Sequence, residues 1–254
     1  MSMAAFIAEF EKILNIQKVE PTPIEEGFED EIVNFTDENV NLTRFTIKRN
    51  MILSKDIDAF YRFKYFGSRD SRTPKYINIL KNDILDQSKA ALCSAFVDLK
   101  NNLENEIYAI FDVLGWDYES GRSICVVPRS KTINHYKDEQ LLFLYTIKYV
   151  INSTSLAFFY GIDGTDFIIR VKNTRTTHLN KLGYGGDGRR PYKGISLDTC
   201  MFSNEIKGKN ILLIDDIYTK TVNVIEDMVQ ALLDKGAKNV AVYTIGYTVH
   251  EGER

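Results

Sequence analysis

Two adjacent carboxylates, Asp215 and Asp216, directly follow the uninterrupted apolar run Ile211-Leu212-Leu213-Ile214. Such a run suits a strand buried on both faces of a parallel sheet, and α/β folds bind ligands outside the C-terminal ends of such strands. A short loop of Ile217, Tyr218, Thr219, Lys220 and Thr221 comes next, and Val222 and Asn223 lead into a helix. A helix N-terminus points backbone N–H groups outward and attracts anions. The chemistry on offer is a pair of acceptor-only side chains beside an anion site. A second candidate lies upstream, where the apolar residues 124–128 are followed by Arg129, Ser130 and Lys131. Alone, that segment reads as an ordinary basic turn.

Holding these groups in place takes a strand–loop–helix–strand unit. Asn223 is a suitable N-cap. Val224, Ile225, Met228, Val229, Leu232 and Leu233 recur at helical spacing, so one face of the helix is apolar. Lys235 complements the C-terminal dipole, and Gly236 suits the C′ position. A second apolar strand is expected over residues 240–245. Upstream, the run at 124–128 reads as a buried strand and residues 138–152 as a helix.

The stretch from Ile211 to Asn223 resembles the 5-phosphoribosyl-1-pyrophosphate (PRPP) motif of type I phosphoribosyltransferases. That motif is four apolar residues, two acids, two variable residues and Thr-Thr-Gly-x-Thr. The apolar run, the acid pair and Thr219 match it. Lys220 stands for the second Thr, Thr221 for the Gly and Asn223 for the last Thr. The resemblance implies that Asp215 and Asp216 hold the two ribose hydroxyls while residues 217–223 wrap the 5-phosphate. Carboxylates suit vicinal hydroxyls because each accepts several hydrogen bonds. A β-branched Thr221 tolerates the close backbone approach of the family's Gly poorly. Ribose recognition therefore carries over better than phosphate recognition, with Lys220 as a replacement point charge.

The segment at 126–131 looks like the family's diphosphate loop, and ComF-like members share its Pro128. Arg129, Ser130 and Lys131 would then neutralise the leaving diphosphate. ComF-like members also carry an Arg-rich segment that Arg170, Arg175, Thr177, Leu179 and Arg190 follow loosely. Mg²⁺ bridging ribose and diphosphate oxygens is the implied cofactor, leaning on substrate oxygens rather than a protein cage. The implied fold is α/β, a mostly parallel sheet flanked by helices. The core would span residues 121–254, and residues 1–120 would form a largely helical extension or hood.

Composition narrows the alternatives. A net charge of −3 gives no global field for nucleic acid or anionic membrane. No apolar run approaches membrane-spanning length, and the N-terminus lacks a basic n-region and apolar h-region, so a cytoplasmic protein is expected. Cys93, Cys125 and Cys200 lie far apart and form no metal-binding or disulfide pattern.

The remaining elements are coarser. Residues 2–15 read as an amphipathic helix and 18–31 as an acidic, Pro-containing connection. Residues 40–48 alternate weakly as a strand. Residues 51–66 read as a strand with one wet face. Ile77, Leu80 and Ile84 mark a short helix, and residues 88–113 a long one. Residues 156–160 and 166–171 are candidate strands. Residues 173–209 form a long basic connection that contains His178, a candidate acid or base.

The expected activity is phosphoribosyl transfer to a base or amine with diphosphate release. The first alternative is a non-catalytic PRPP or nucleotide sensor. It could serve as an effector subunit of a larger assembly, such as a bacterial defence system, with a second copy or a partner protein. The second alternative is a nucleic-acid binder that uses the basic connection of residues 173–209 and the aromatics of residues 61–65, with Arg62, Lys64, Arg69 and Arg72 nearby. A packed strand with snorkelling basics is the preferred reading of the aromatic stretch.

Overall fold

The structure, a computed structural model, describes residues 8, 40, 42–83, 85–158, 162–175, 192–220 and 222–249. The helix expected over 2–15 (apart from Ala8), the acidic connection over 18–31, Ile84, His178 and the glycines at 183–188 lie outside the described residues.

Five strands form the main sheet: β1 (Thr43–Ile47), β2 (Ile57–Tyr65), β3 (Arg122–Val126), β6 (Asn210–Tyr218) and β7 (Asn239–Thr248). Their order is β1-β2-β7-β6-β3. The β1–β2 pair is antiparallel, and the other three pairings are parallel. The expected mostly parallel α/β sheet is therefore present. A separate two-stranded antiparallel sheet joins β4 (Ile168–Arg170) to β5 (Cys200–Phe202).

Helices cover both faces of the main sheet. On one face, α1 (Tyr76–Lys81), α2 (Lys89–Val113) and α3 (Leu142–Ser153) pack on Phe60, Ile124, Val126, Leu212, Ile214, Tyr243 and Ile245. On the other, Ile225, Met228, Val229 and Leu232 of α5 (Val224–Asp234) pack on Ile211, Leu213, Val240 and Val242. This two-sided burial explains why β6 reads as a continuous apolar run rather than an alternating one. The short helix α4 (Ile195–Thr199) precedes β5.

Local signals set several boundaries. Ser88 Oγ accepts the Ala91 N–H at 3.2 Å and caps α2. Gly115 takes φ +63° at the other end, and the N–H groups of Gly115 and Trp116 return to the carbonyls of Asp112 and Phe111. Gly236 ends α5 in the same way, with N–H groups of Gly236 and Ala237 bonded to the carbonyls of Leu233 and Leu232.

Three expectations need correction. Residues 155–158 form a 3₁₀ turn, not a strand. Thr154 Oγ1 bonds the Val150 carbonyl and Glu104 receives the Ser155 N–H and hydroxyl, which keeps the chain wound. The connection over 173–209 contains α4 and β5 among its described residues. The stretch at 57–65 is an interior strand, and Arg62 is turned inward rather than to water. Strand β2, before residue 120, pairs with β7, after it. Among the described residues, no helix is long and apolar enough to cross a membrane.

Arg62 carries the largest internal charge network. Its guanidinium meets Glu106 of α2 at 2.5 and 2.7 Å and donates to Tyr76 Oη at 2.9 Å. The Tyr243 hydroxyl donates to the same carboxylate at 2.5 Å. Burial disfavours the Arg62 charge, but its acidic partners outweigh that and raise its pKa. Removing one member of a buried pair strands the other charge, so Glu106→Ala is expected to destabilise the protein by about 3–5 kcal/mol. The double variant Arg62→Met/Glu106→Leu should lose less than Glu106→Ala alone, as measured by denaturant unfolding.

Candidate functional site

β3 and β6 run side by side with Val126 opposite Ile214. The Val127 N–H donates to the Ile214 carbonyl at 3.0 Å. The acid pair and the basic turn singled out in the sequence therefore begin at the same level of two neighbouring parallel strands. β3 ends there, while β6 continues along β7, with Asp215 opposite Thr244, Ile217 opposite Gly246 and Tyr218 opposite Tyr247. This corrects the expectation of a loop from residue 217. Ile217 and Tyr218 belong to the strand, and the loop starts at Thr219. The reason is burial. Ile217 packs against the core cluster that contains Leu212 and Ile214, whereas Tyr218 belongs to the cluster that contains Ile211 and Leu213.

Asp216 Oδ2 meets Lys81 Nζ at 3.0 Å. Lys81 is the last residue of α1. Burial disfavours its ammonium, but Asp216, then Asp215 and Asp83, outweigh that and raise its pKa. Asp215 behaves in the opposite sense to an ordinary surface acid. Burial first, and the Asp216 charge second, push it well above the usual carboxylate range. The Asp216 N–H, donating to Asp215 Oδ1 at 2.8 Å, and Lys81 offset only part of this. Tyr65 also senses the pair, its phenol raised by burial and by Asp216 and lowered by Lys81.

Arg129 faces inward on the protein. Its guanidinium donates to the carbonyls of Lys81 at 2.8 Å and Gln140 at 2.6 Å, pairs with Asp83, and stacks 4.6 Å over Tyr136. Three donors of the residue expected at the diphosphate thus serve the chain's own acceptors. The Ser130 carbonyl accepts the Thr174 N–H at 2.7 Å, and the Lys131 N–H donates to Tyr136 Oη at 3.0 Å. Arg170 Nε donates to the Arg129 carbonyl at 3.2 Å. Arg175 follows Thr174, and its Nε is buried without a hydrogen-bond partner. Arg129, Ser130, Lys131 and Arg175 are thus gathered around one turn, next to the acid pair through Lys81 and Asp83. Arg190 lies outside the described residues.

The loop before α5 is built differently from the sequence expectation. Thr219 Oγ1 bonds Thr248 Oγ1 at 2.8 Å, and the Val222 N–H returns to the Thr219 carbonyl at 3.1 Å. Lys220 is exposed, and Thr221 lies outside the described residues. Asn223 is at the N-cap position, but it sits at φ +56° and its side chain makes no capping bond. Its Oδ1 accepts from Asn50 Nδ2 at 3.2 Å instead. Asn tolerates this left-handed backbone better than most residues. The first-turn acids turn away from the loop: Asp227 accepts the N–H groups of Gly194 and Ser196 at 2.5 and 2.8 Å, and Glu226 accepts from Tyr218 Oη at 2.8 Å.

Sequence reasoning missed Lys81, Asp83, Tyr65 and Asn50. Lys81 and Asp83 close a short helix whose only local signal was its apolar face. Nothing in that pattern points to strand β6. Among the described residues no three acidic, His or Cys side chains converge as a metal-binding group. A Mg²⁺ at this site would have to be carried mainly by substrate oxygens.

The raised Asp215 sets a pH dependence. A carboxyl that holds its proton more tightly folded than unfolded favours the fold at low pH. That contribution is complete below the unfolded value, about 3.9, and is lost as pH rises toward the folded value. At neutral pH Asp215 therefore works against the fold. Asp215→Asn keeps the acceptor for the Asp216 N–H and is expected to raise Tm near pH 7. The gain should shrink toward zero as pH falls to about 3.9, as followed by thermal unfolding across pH. Neither a protein-family model nor a curated protein sequence matches this chain, so its function is argued from this geometry.

Proposed function

We propose that the chain is a phosphoribosyltransferase-like protein that binds PRPP or a related ribose 5-phosphate ligand through Asp215 and Asp216. One observation carries this reading. The acid pair and the basic turn, far apart in sequence, begin at one level of adjacent parallel strands, with Val126 opposite Ile214. That is where α/β sheets bind ligands, and it brings acceptors for ribose hydroxyls beside cations for phosphate oxygens.

In transfer chemistry, cleavage of the C1–O bond builds positive charge on the ribose and negative charge on the departing diphosphate. Asp215 and Asp216 are suited to the first charge, and Lys131 and Arg175 to the second. Mg²⁺ would add charge neutralisation on the diphosphate. The acceptor is expected to be a nitrogenous base or amine.

A specific observation favours a second reading, a non-catalytic sensor. Arg129 is committed to Lys81, Gln140 and Asp83. The leaving-group side is thereby poorer in free cations than transfer needs. Of the basic residues invoked for nucleic-acid binding, Arg62 is taken up by Glu106.

Calorimetric titration of PRPP with Mg²⁺ tests the reading. Wild type should bind, and Asp215→Asn/Asp216→Asn should lose that binding by at least about tenfold. Equal binding by both proteins would exclude the acid pair as the ribose site. Diphosphate release in a screen of bases separates enzyme from sensor.

A further inference from the structure

Lys81 ends α1 and places its ammonium at the acid pair. Its ammonium is held there by an ion pair with Asp216 rather than by a full set of backbone and aromatic contacts. Arg129 is held by two carbonyls, a carboxylate and an aromatic face. Lys81 is anchored through its backbone, since its carbonyl accepts from Arg129. Its ammonium contacts Asp216 on a flexible four-carbon stem. The side chain can therefore swing while α1 stays fixed.

We propose that Lys81 is the specificity-determining residue of the acid site, selecting anionic ribosyl ligands over neutral ribosides. The inference rests on the reading of Asp215 and Asp216 as a ribose site. A vicinal diol that bonds Asp216 takes over the carboxylate oxygens that Lys81 Nζ now meets at 3.0 Å. A neutral riboside gives hydroxyl bonds but displaces a largely buried ammonium from its closest counter-charge and offers none in exchange, which is costly. A ligand with a phosphate close to the diol supplies a new counter-charge, and the ammonium moves from carboxylate to phosphate. Asp215 and Asp83 also face this ammonium, and Tyr65 lies beside it, so the swing keeps it within a net acidic surround. Lys81 would thus restore on the ribose side some of the anion selectivity that Arg129 has given to the fold.

The test uses the full chain as wild type, Lys81→Met and Lys81→Arg, titrated with α-D-ribose 1-phosphate, whose phosphate adjoins the diol, and with a neutral methyl riboside. Wild type is expected to prefer the phosphate ester. Lys81→Met should reduce that preference by about tenfold, with riboside affinity unchanged or improved. Lys81→Arg should keep the preference, because it keeps the charge. Equal weakening of both ligands in Lys81→Met, no change in either, or loss of preference in Lys81→Arg would overturn the role of Lys81 alone. Absence of binding of both ligands to wild type would overturn the ribose site and this inference together.

Discussion

Glu106 is the point on which the N-terminal half of the structure is fastened to the sheet. Its carboxylate, on α2, receives Arg62 from β2 and the Tyr243 hydroxyl from β7, and Arg62 in turn reaches Tyr76 at the start of α1. Four elements meet around one buried charge. Such a pair contributes little net stability over an apolar core, but it penalises any arrangement that leaves a member alone. Its effect is to fix register and approach rather than to add binding energy. The six-residue α1 spans only about 9 Å. Anchoring Tyr76 at one end therefore determines where Lys81 arrives at the other, which is against Asp216.

The two charge clusters differ in how complete they are. Around Glu106 the donors and acceptors are matched, and the cluster is structural. At the second, Asp83, Asp215 and Asp216 face Lys81 and Arg129, and Arg129 is held by its own bonds. Asp215 is left buried beside a like charge, and its proton affinity rises. A fold selected for stability alone would not keep two adjacent acids there. Perturbed carboxyls at the ends of paired strands are the pattern expected of a binding site.

The parts of the fold legible in the sequence were those specified by local pattern. The apolar run of β6 with α5 and β7 behind it, the long helix α2 and the Gly236 ending of α5 each depend on a few neighbouring residues. Where tertiary contacts decide, local pattern failed. Ile217 and Tyr218 look like a loop after two acids, yet each is drawn into the strand by a different core cluster. Residues 155–158 look like a strand, yet Glu104 of α2 holds them in a turn. Asn223 has the right side chain for a cap, but Asn50 takes it.

The sequence by itself determined the α/β class, the two buried strands that carry the acids and the basic turn, and the identity of those candidate residues. Hydrophobic period and turn chemistry are short-range properties, and burial on both faces of a parallel strand leaves a direct mark on composition. Only the tertiary structure decided which cation answers which carboxylate. Lys81 is paired with Asp216, and Arg129 is spent on α1 and its flanking turn. Charge partners are chosen by the approach of whole elements, and a side chain's sign does not encode the direction from which its counter-ion will come.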